Sequence, residues 1–86
     1  MEVMKIPIKI KSIKQLKKLT KDGCECFIRL MGPLRSSKHI WHDEDQNQFE
    51  IMHYIDGREE VLNEQQVMEE SNIGFAMTKG ALYLDD

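Results

Sequence analysis

Apolar and polar side chains alternate near the start of the chain, over residues 5–11. Ile6, Ile8 and Ile10 share one face of an extended segment while lysines occupy the other, which predicts a half-buried strand. Pro7 has no N–H group to donate, so we expect this strand at an edge of the sheet, where the missing donor can face solvent.

The next segment has the spacing of a helix. Ser12 is a typical N-cap residue, and Ile13, Leu16 and Leu19 recur on one side with lysines on the remaining surface. Gly23 is expected to end the helix as the residue after its C-cap. The pattern predicts an amphipathic, lysine-rich helix.

A nearly continuous apolar stretch follows at residues 24–31, with large side chains on both alternations. Such a stretch is typical of a central strand that is covered on two faces. Gly32 and Pro33 are a strong turn signal, and a loop at residues 34–37 leads to a short strand over residues 38–42.

The second half of the chain begins with a predicted meander. An acidic turn at residues 43–47 precedes a strand over residues 48–55. Asp56 and Gly57 are typical of a two-residue type I′ hairpin, which requires positive φ at both positions. Residues 58–62 are then expected to return antiparallel to the preceding strand.

A short helix is predicted after this meander. Asn63 is a helix-capping residue, and Gln66 three positions later completes a capping-box arrangement. Val67 and Met68 are the only large apolar side chains that this helix offers to the core.

A second short helix is expected over residues 73–79, starting from Ser71 or Asn72 and ending at Gly80, and a brief apolar run at residues 81–84 is a candidate last strand. The whole pattern predicts an α+β fold. It consists of a mostly antiparallel sheet of four to six strands, one lysine-rich helix packed on it, and one or two short C-terminal helices.

Length and composition are those of a folded domain. The 86 residues support one core, so a single domain over residues 1–86 is expected, with 41% apolar and 31% charged residues. No apolar stretch approaches the length of a membrane span, and no signal peptide is visible. Cys24 and Cys26 are too close in sequence for a useful disulfide, so we expect a cytoplasmic protein.

Charge is distributed unevenly along the chain. Residues 1–38 carry eight Lys and two Arg against three acids, a net charge of +7, whereas residues 39–86 carry two basic and twelve acidic residues, a net charge of −10. Such asymmetry indicates binding rather than chemistry. It also permits a homodimer that forms head to tail or through an unpaired strand edge.

The acidic half suggests a surface that meets a basic groove on a protein partner. The competing interpretation is a solvated acidic surface without a partner. The carboxylates concerned are Asp43, Glu44, Asp45, Glu59, Glu60, Glu64, Glu69 and Glu70.

Trp41 is the single tryptophan and lies between two histidines. A lone tryptophan is commonly part of the core. If it is exposed beside Tyr54 or Phe49, that patch becomes the expected anchor for a partner, because Trp and Tyr dominate interface energetics.

The lysines suggest an alternative, a nucleic-acid-binding stripe. The loop after Gly32 and Pro33 adds a guanidinium, two hydroxyls and an ammonium. The acidic total and the shortage of aromatics for base stacking argue against this alternative. The residues that would meet phosphates are Lys9, Lys11, Lys14, Lys17, Lys18, Lys21, Arg35, Ser36, Ser37 and Lys38.

Cysteine and histidine residues raise the question of a metal site. His39 and His42 point to opposite faces of a strand, so they cannot chelate one ion, although a site made of Cys24, Cys26 and one histidine stays open. Both thiols lie on the most apolar segment, where burial makes a thiol inert. No phosphate-binding loop is present, and we expect neither a cofactor nor enzyme activity.

Four stretches, 11–16 (KSIKQL), 34–38 (LRSSK), 70–74 (ESNIG) and 79–82 (KGAL), are similar to small uncharacterised proteins of bacterial phages and mobile elements. The resemblance spans most of the chain but involves no motif tied to an activity. It implies a bacterial, intracellular setting and a class of short proteins that often bind a host component to inhibit or redirect it.

We therefore expect a non-enzymatic binding module that engages a protein partner through the acidic half or the Trp41 region. Nucleic-acid binding through the lysine stripe is the alternative.

Overall fold

The computed structural model describes residues 7–29 and 36–85, and these form six strands and three helices. The strands are β1 (Ile8–Lys9), β2 (Cys24–Ile28), β3 (Ser36–Asp43), β4 (Gln48–His53), β5 (Glu59–Asn63) and β6 (Leu82–Leu84), and the helices are α1 (Ile13–Leu19), α2 (Glu64–Glu70) and α3 (Asn72–Thr78). The strands make one antiparallel sheet in the order β1-β6-β2-β3-β4-β5. The α+β class with an antiparallel sheet is confirmed.

The first strand lies at an edge of the sheet, as Pro7 predicted. Ile10 is fully buried, but Ile8 is 46% exposed, so the expectation that both side chains reach the core is wrong. An outermost strand has no further neighbour to cover its free side, and β1 pairs with β6 over only two residues. Ile6 lies outside the described residues.

Strand β2 lies between β6 and β3, so its prediction as a central strand is confirmed. It ends at Ile28 rather than at residue 31, and residues 30–31, like the predicted turn at Gly32 and Pro33, lie outside the described ranges. Strand β3 begins at Ser36, two residues before its predicted start, because Ser36 and Ser37 extend the pairing with β2.

Helix α1 begins directly after the predicted N-cap Ser12 but ends at Leu19, earlier than predicted. The Ser12 hydroxyl accepts a hydrogen bond from the Gln15 N–H at 3.2 Å. The C-cap is Thr20, whose hydroxyl donates to the Leu16 carbonyl at 2.7 Å, so the prediction of Gly23 as the next residue after the cap is wrong. Gly23, with φ at 82°, closes a further turn by donating its N–H to the Thr20 carbonyl.

The β4–β5 connection is a five-residue loop at residues 54–58 rather than the predicted two-residue type I′ turn. The His53 N–H donates to the Arg58 carbonyl at 2.8 Å, so β4 ends at His53 and not at residue 55. Gly57 has a positive φ of 71°, but Asp56 does not and accepts the Arg58 N–H with its carboxylate instead. A type I′ turn needs positive φ at both positions, which explains the difference.

The capping box of α2 is confirmed. The Gln66 N–H donates to the Asn63 side chain at 2.8 Å, and the Gln66 side chain accepts the Asn63 N–H at 2.9 Å. Val67 is buried as expected, but Met68 lies toward solvent, since the Val67 side of this seven-residue helix faces the sheet.

Helix α3 starts at its N-cap Ser71 and packs tightly against α2. A Cβ atom on Gly74 would overlap the carbonyl oxygens of Val67 and Met68, so this crossing requires glycine. No helix in the described ranges has the length and apolar character to cross a membrane.

The helices cover one face of the sheet, and the strand alternation sends the other side chains to an outer face. The core is contributed by Ile10, Leu16, Cys26, Ile28, Ile40, Phe49, Ile51, Val67, Ile73, Ala76, Met77, Ala81 and Leu82. The register places the following side chains on the outer face: Glu25, Phe27, His39, Trp41, Glu50, Met52, Glu59, Val61 and Tyr83.

Candidate interaction site on the outer face of the sheet

Trp41 occupies the middle of the outer face, and its side chain is 49% exposed. Two rows of side chains cross the strands β3, β4 and β5 at this point. Trp41, Glu50 and Val61 form one row, and His39, Met52 and Glu59 form the other. These six side chains define the Trp41 groove.

The groove has a volume of about 300 Å³, and Ile51 and Glu60 contribute to its lining from the intervening positions. Its apolar side chains are Trp41, Met52 and Val61, the last being 55% exposed. Glu50 and Glu59 add two carboxylates on the outer face, beside that of Glu60, and neither lysine nor arginine lines the groove among the described residues. The groove therefore combines accessible apolar surface with negative charge.

A second depression, of about 420 Å³, lies on the other side of Trp41 and shares Glu50 with the groove. Its negative charge comes mainly from the β3–β4 hairpin, where the Asp43 carboxylate accepts the N–H groups of Asp45 and Gln46. The lining residues are Lys21, Asp22, Trp41, His42, Asp43, Glu44, Asp45 and Glu50. We call this region the acidic depression.

Gly23 lies close to the ring of His39, one of the groove residues. A Cβ atom at this position would lie 2.8 Å from His39 Nε2, which is closer than real Cβ contacts, and the φ of 82° disfavours other residues as well. The glycine thus lets the α1–β2 connection approach the outer-face histidine.

Neither of the suggested aromatic neighbours joins Trp41. Phe49 is fully buried on the helix-covered face, against the His42 ring, so the condition that Trp41 is exposed beside Phe49 is not met. The Tyr54 N–H donates to the Ser37 carbonyl, which places Tyr54 beside Ser37. Ser37 and Trp41 are four residues apart along β3, a separation of about 13 Å at the usual rise of a strand.

Tyr54 has its own partner on the outer face. Its hydroxyl donates to Glu25 Oε1 at 3.0 Å, and partial desolvation together with this carboxylate raises the pKa of Tyr54 above its usual value. Tyr54 is therefore a separate exposed aromatic and not part of the Trp41 groove.

The predicted acidic residues do not form a single face. Glu59 points to the outer face, whereas its neighbour Glu60 points to the helix-covered face and pairs with His53 at 3.3 Å. Glu64 pairs with Lys17 at 2.6 Å. Asp43, Glu44, Asp45 and Glu59 lie near Trp41, and Glu64, Glu69 and Glu70 lie elsewhere. Glu60 borders the groove but is engaged on the helix-covered side.

The lysine stripe is partly neutralised by acids from the other half of the chain. Lys17 pairs with Glu64, and Lys21 approaches Glu44 at 3.9 Å. Lys14 and Lys18 are exposed and form no ion pair with the described residues. Arg35 lies outside the described residues, and Ser36 and Ser37 belong to β3.

Lys38 is not available to a phosphate on the surface, so this part of the predicted stripe is wrong. Only 2% of the residue is exposed, because the register of β3 places it on the helix-covered face between Cys26 and His53. Its ammonium donates to Ser36 Oγ at 3.2 Å. Lysine side chains normally reach solvent, so a prediction based only on the residue type placed Lys38 at the surface.

The cysteines and histidines lie as the alternation predicted. Cys24 Sγ and Cys26 Sγ are 3.9 Å apart, and burial raises the pKa of the Cys26 thiol far above its usual value. His39 and His42 point to opposite faces. In the described part of the chain, no three Cys, His, Asp or Glu side chains are arranged to hold a metal ion.

The groove residues Glu50, Met52 and Val61 were missed by the sequence reasoning. The signal was present in the period-two pattern of β4 and β5, whose alternate positions point to the face of Trp41 once the hairpin register is known. Comparison of the chain with protein-family models, curated proteins and solved structures finds no match.

Proposed function

We propose that this protein is a non-enzymatic binding module that engages a protein partner through the Trp41 groove. The observation that carries the proposal is the half-exposed Trp41 beside Met52 and the exposed Val61, in a concave site with two carboxylates on the outer face. Tryptophan is enriched among residues that dominate binding energy, and a single buried contact of this kind accounts for a large share of affinity.

The charge around the groove defines the chemistry of the partner. Glu50 borders both the groove and the acidic depression, so a ligand that crosses Trp41 meets carboxylates on both sides. An apolar side chain would fill the groove, and an arginine would stack on the indole and pair with Glu50. The partner is therefore a basic segment that contains apolar residues.

Strand β5 gives such a segment a backbone to pair with. Within the described residues β5 pairs only with β4 and forms the edge of the sheet next to the groove. An extended peptide added along β5 would place alternate side chains over Val61 and Glu59. Main-chain hydrogen bonds would supply affinity, while the groove would supply specificity.

The nucleic-acid alternative has less support from the geometry. Carboxylates surround the exposed aromatic, where they would repel phosphates, and only Lys14 and Lys18 of the helix stripe lack an acidic partner among the described residues. A bacterial, cytoplasmic setting, with a host component as the partner, is also part of the proposal.

Selection from a library of random peptides displayed on phage tests the proposal. We expect enriched sequences that combine arginine or lysine with apolar residues, and we expect Trp41→Ala to lose them while Phe75→Ala keeps them, since Phe75 is 53% exposed on α3 and lies outside the groove.

Fluorescence anisotropy with labelled single-stranded and duplex DNA and RNA, across a salt series, tests the alternative. If nucleic acid binds with a steep salt dependence and the selection enriches no basic and apolar peptide, the proposal is wrong.

A further inference from the structure

The pairing of β4 determines which backbone groups of β5 point to its free edge. The His53 N–H donates to the Arg58 carbonyl, whereas the N–H of its neighbour Tyr54 donates to β3. In an antiparallel ladder, pairs that exchange hydrogen bonds alternate with pairs that exchange none. Counting along the register from His53, Ile51 and Glu60 are therefore the next bonded pair.

Glu59 and Val61 lie at the intervening positions, so their N–H and C=O groups point away from β4. Both residues are exposed, and among the described residues β5 has β4 as its only neighbouring strand. The same alternation leads on to Asn63 and Gly57, but the Asn63 N–H is bonded in the capping box and the Gly57 N–H is bonded in the β4–β5 loop. Two N–H and two C=O groups are thus available to a ligand.

An antiparallel segment of three residues satisfies all four groups. Its first residue exchanges two hydrogen bonds with Val61 and its third exchanges two with Glu59, because the two strands run in opposite directions. A parallel segment needs five residues for the same four bonds, since its bonds are slanted. Ordering three residues costs less conformational entropy than ordering five, so the antiparallel direction is favoured.

The side chains of such a segment meet the outer face of the sheet. Residues directly opposite each other project to the same face, so the first and third side chains lie beside Val61 and Glu59. Val61 ends the row of groove residues that begins at Trp41, so the first side chain lies at the open end of the groove. The third lies opposite a carboxylate, which favours lysine or arginine.

A second copy of this chain fits the same edge poorly. Two β5 strands paired about Val61 would set Glu59 against Asn63, whose N–H is already bonded in the capping box. Pairing about Glu59 or about Glu60 would place two identical carboxylates opposite each other, which is unfavourable. A segment of another protein that carries a basic residue has neither defect.

We propose that β5 binds an extended segment of the partner protein as an antiparallel strand, with one residue opposite Val61 and a lysine or arginine two residues later opposite Glu59. This inference rests on the proposed function and adds the direction and register of the ligand. Main-chain pairing then involves only the N–H and C=O groups of Glu59 and Val61.

Amide hydrogen exchange followed by NMR tests the register. The probe is an acetylated and amidated peptide of seven residues, with leucine third, arginine fifth and threonine elsewhere. In the free protein we expect the Glu59 and Val61 amides to exchange quickly, and the Glu60 and Leu62 amides to exchange slowly. With the peptide at about ten times its Kd, exchange at Glu59 and Val61 is expected to slow about tenfold. Unchanged exchange at both residues overturns the inference.

Methylation of single peptide nitrogens provides a matched control. The N–H groups of the third and fifth residues donate to Val61 and Glu59, so methylation of either is expected to raise the Kd about fivefold or more. The N–H of the fourth residue points away from β5, so its methylation is expected to leave the Kd unchanged. Equal effects at the third, fourth and fifth residues contradict the register.

A nitroxide on one end of the peptide tests the direction. An N-terminal label is expected to broaden the amide signal of Asn63 more than that of Gly57, and a C-terminal label is expected to do the reverse. The opposite pattern overturns the antiparallel direction.

Trp41 emission separates this inference from the proposed function. If the peptide changes the emission but leaves the Glu59 and Val61 amides unprotected, the groove binds its ligand without strand pairing, so the inference is wrong and the proposed function stands. If the peptide does not bind, the inference is wrong, whereas the selection of displayed peptides still decides the proposed function. Protection of Val61 that rises with the concentration of the free protein would place a second copy at this edge and overturn the inference.

Discussion

Replacement of the buried Lys38 by methionine tests the packing of the helix-covered face. Methionine keeps the unbranched apolar stem, so little buried area is lost, and the substitution removes an ammonium that is only 2% exposed. Glu60 retains His53 and Arg58 as partners. The variant is therefore matched in shape and differs mainly in charge.

The magnitude follows from two opposing terms. The lost hydrogen bond to Ser36 involves a charged group and contributes about 1.5–3 kcal/mol, whereas desolvation of the ammonium opposes folding by several kcal/mol. We expect Lys38→Met to raise the free energy of unfolding by about 1–2 kcal/mol at pH 7. For a chain of this size, that corresponds to a rise in Tm of about 4–16 °C.

The pH dependence gives the sign of the charge effect. The pKa of Lys38 is lower in the folded state than its ordinary value of 10.5. Between these two values the unfolded state binds more protons, so the stability of the wild type rises with pH. Methionine has no such contribution. The advantage of Lys38→Met is thus expected to narrow as the pH rises from 7 toward 10.

Urea denaturation of both proteins at pH 7, 8, 9 and 10, followed by circular dichroism, measures this difference. Titrating groups that do not interact with Lys38 are common to both proteins and cancel in the comparison, whereas Cys26 and Glu60 interact with Lys38 and contribute to the difference. A variant that is less stable than wild type at pH 7, or a difference that does not change with pH, would refute the reasoning.

Three further predictions concern other parts of the fold. Gly23→Ala is expected to lower the free energy of unfolding by about 2–3 kcal/mol, because the φ of Gly23 is positive and the new Cβ would contact His39. Gly57→Ala is the control, since Gly57 has a positive φ of 71° but no atom within 4 Å of the new Cβ, and we expect a loss of only about 1 kcal/mol. Thermal unfolding measures both. Asn63→Ala removes the capping box and is expected to lower the free energy of unfolding by about 1 kcal/mol in urea titration. Cys26, whose pKa burial raises, should resist maleimide at pH 8 until the protein unfolds, and rapid labelling in the native state would contradict its burial.

Most helices and strands could be predicted from residues that are close to one another in the sequence. Caps such as Ser12 and the Asn63–Gln66 pair depend on neighbours three residues away, so the sequence carries them directly. The place of β6 between β1 and β2 depends on contacts across the whole chain. The brief apolar run at residues 81–84 predicted a strand but did not indicate which strands it would pair with.

The candidate site was only partly predictable for the same reason. Trp41 was recognised as a possible anchor from its residue type, but Glu50 and Val61 face it only through the β3–β4–β5 register. Lys38 was assigned to the surface because lysine is rarely buried, although Ile40 and His42 continue its alternation inward. The charge of Lys38 predicted an exposed side chain, whereas the strand register predicted a buried one, and the side chain is buried.

Titration of Trp41 fluorescence with an alternating arginine–leucine peptide tests the central claim most directly, since the only tryptophan of the chain lies in the groove. The account predicts a saturable change in emission that Glu50→Lys abolishes and that Glu69→Lys, an equal charge change on α2 outside the groove, preserves. An unchanged spectrum for the wild type, or equal loss in both variants, would contradict binding at the Trp41 groove.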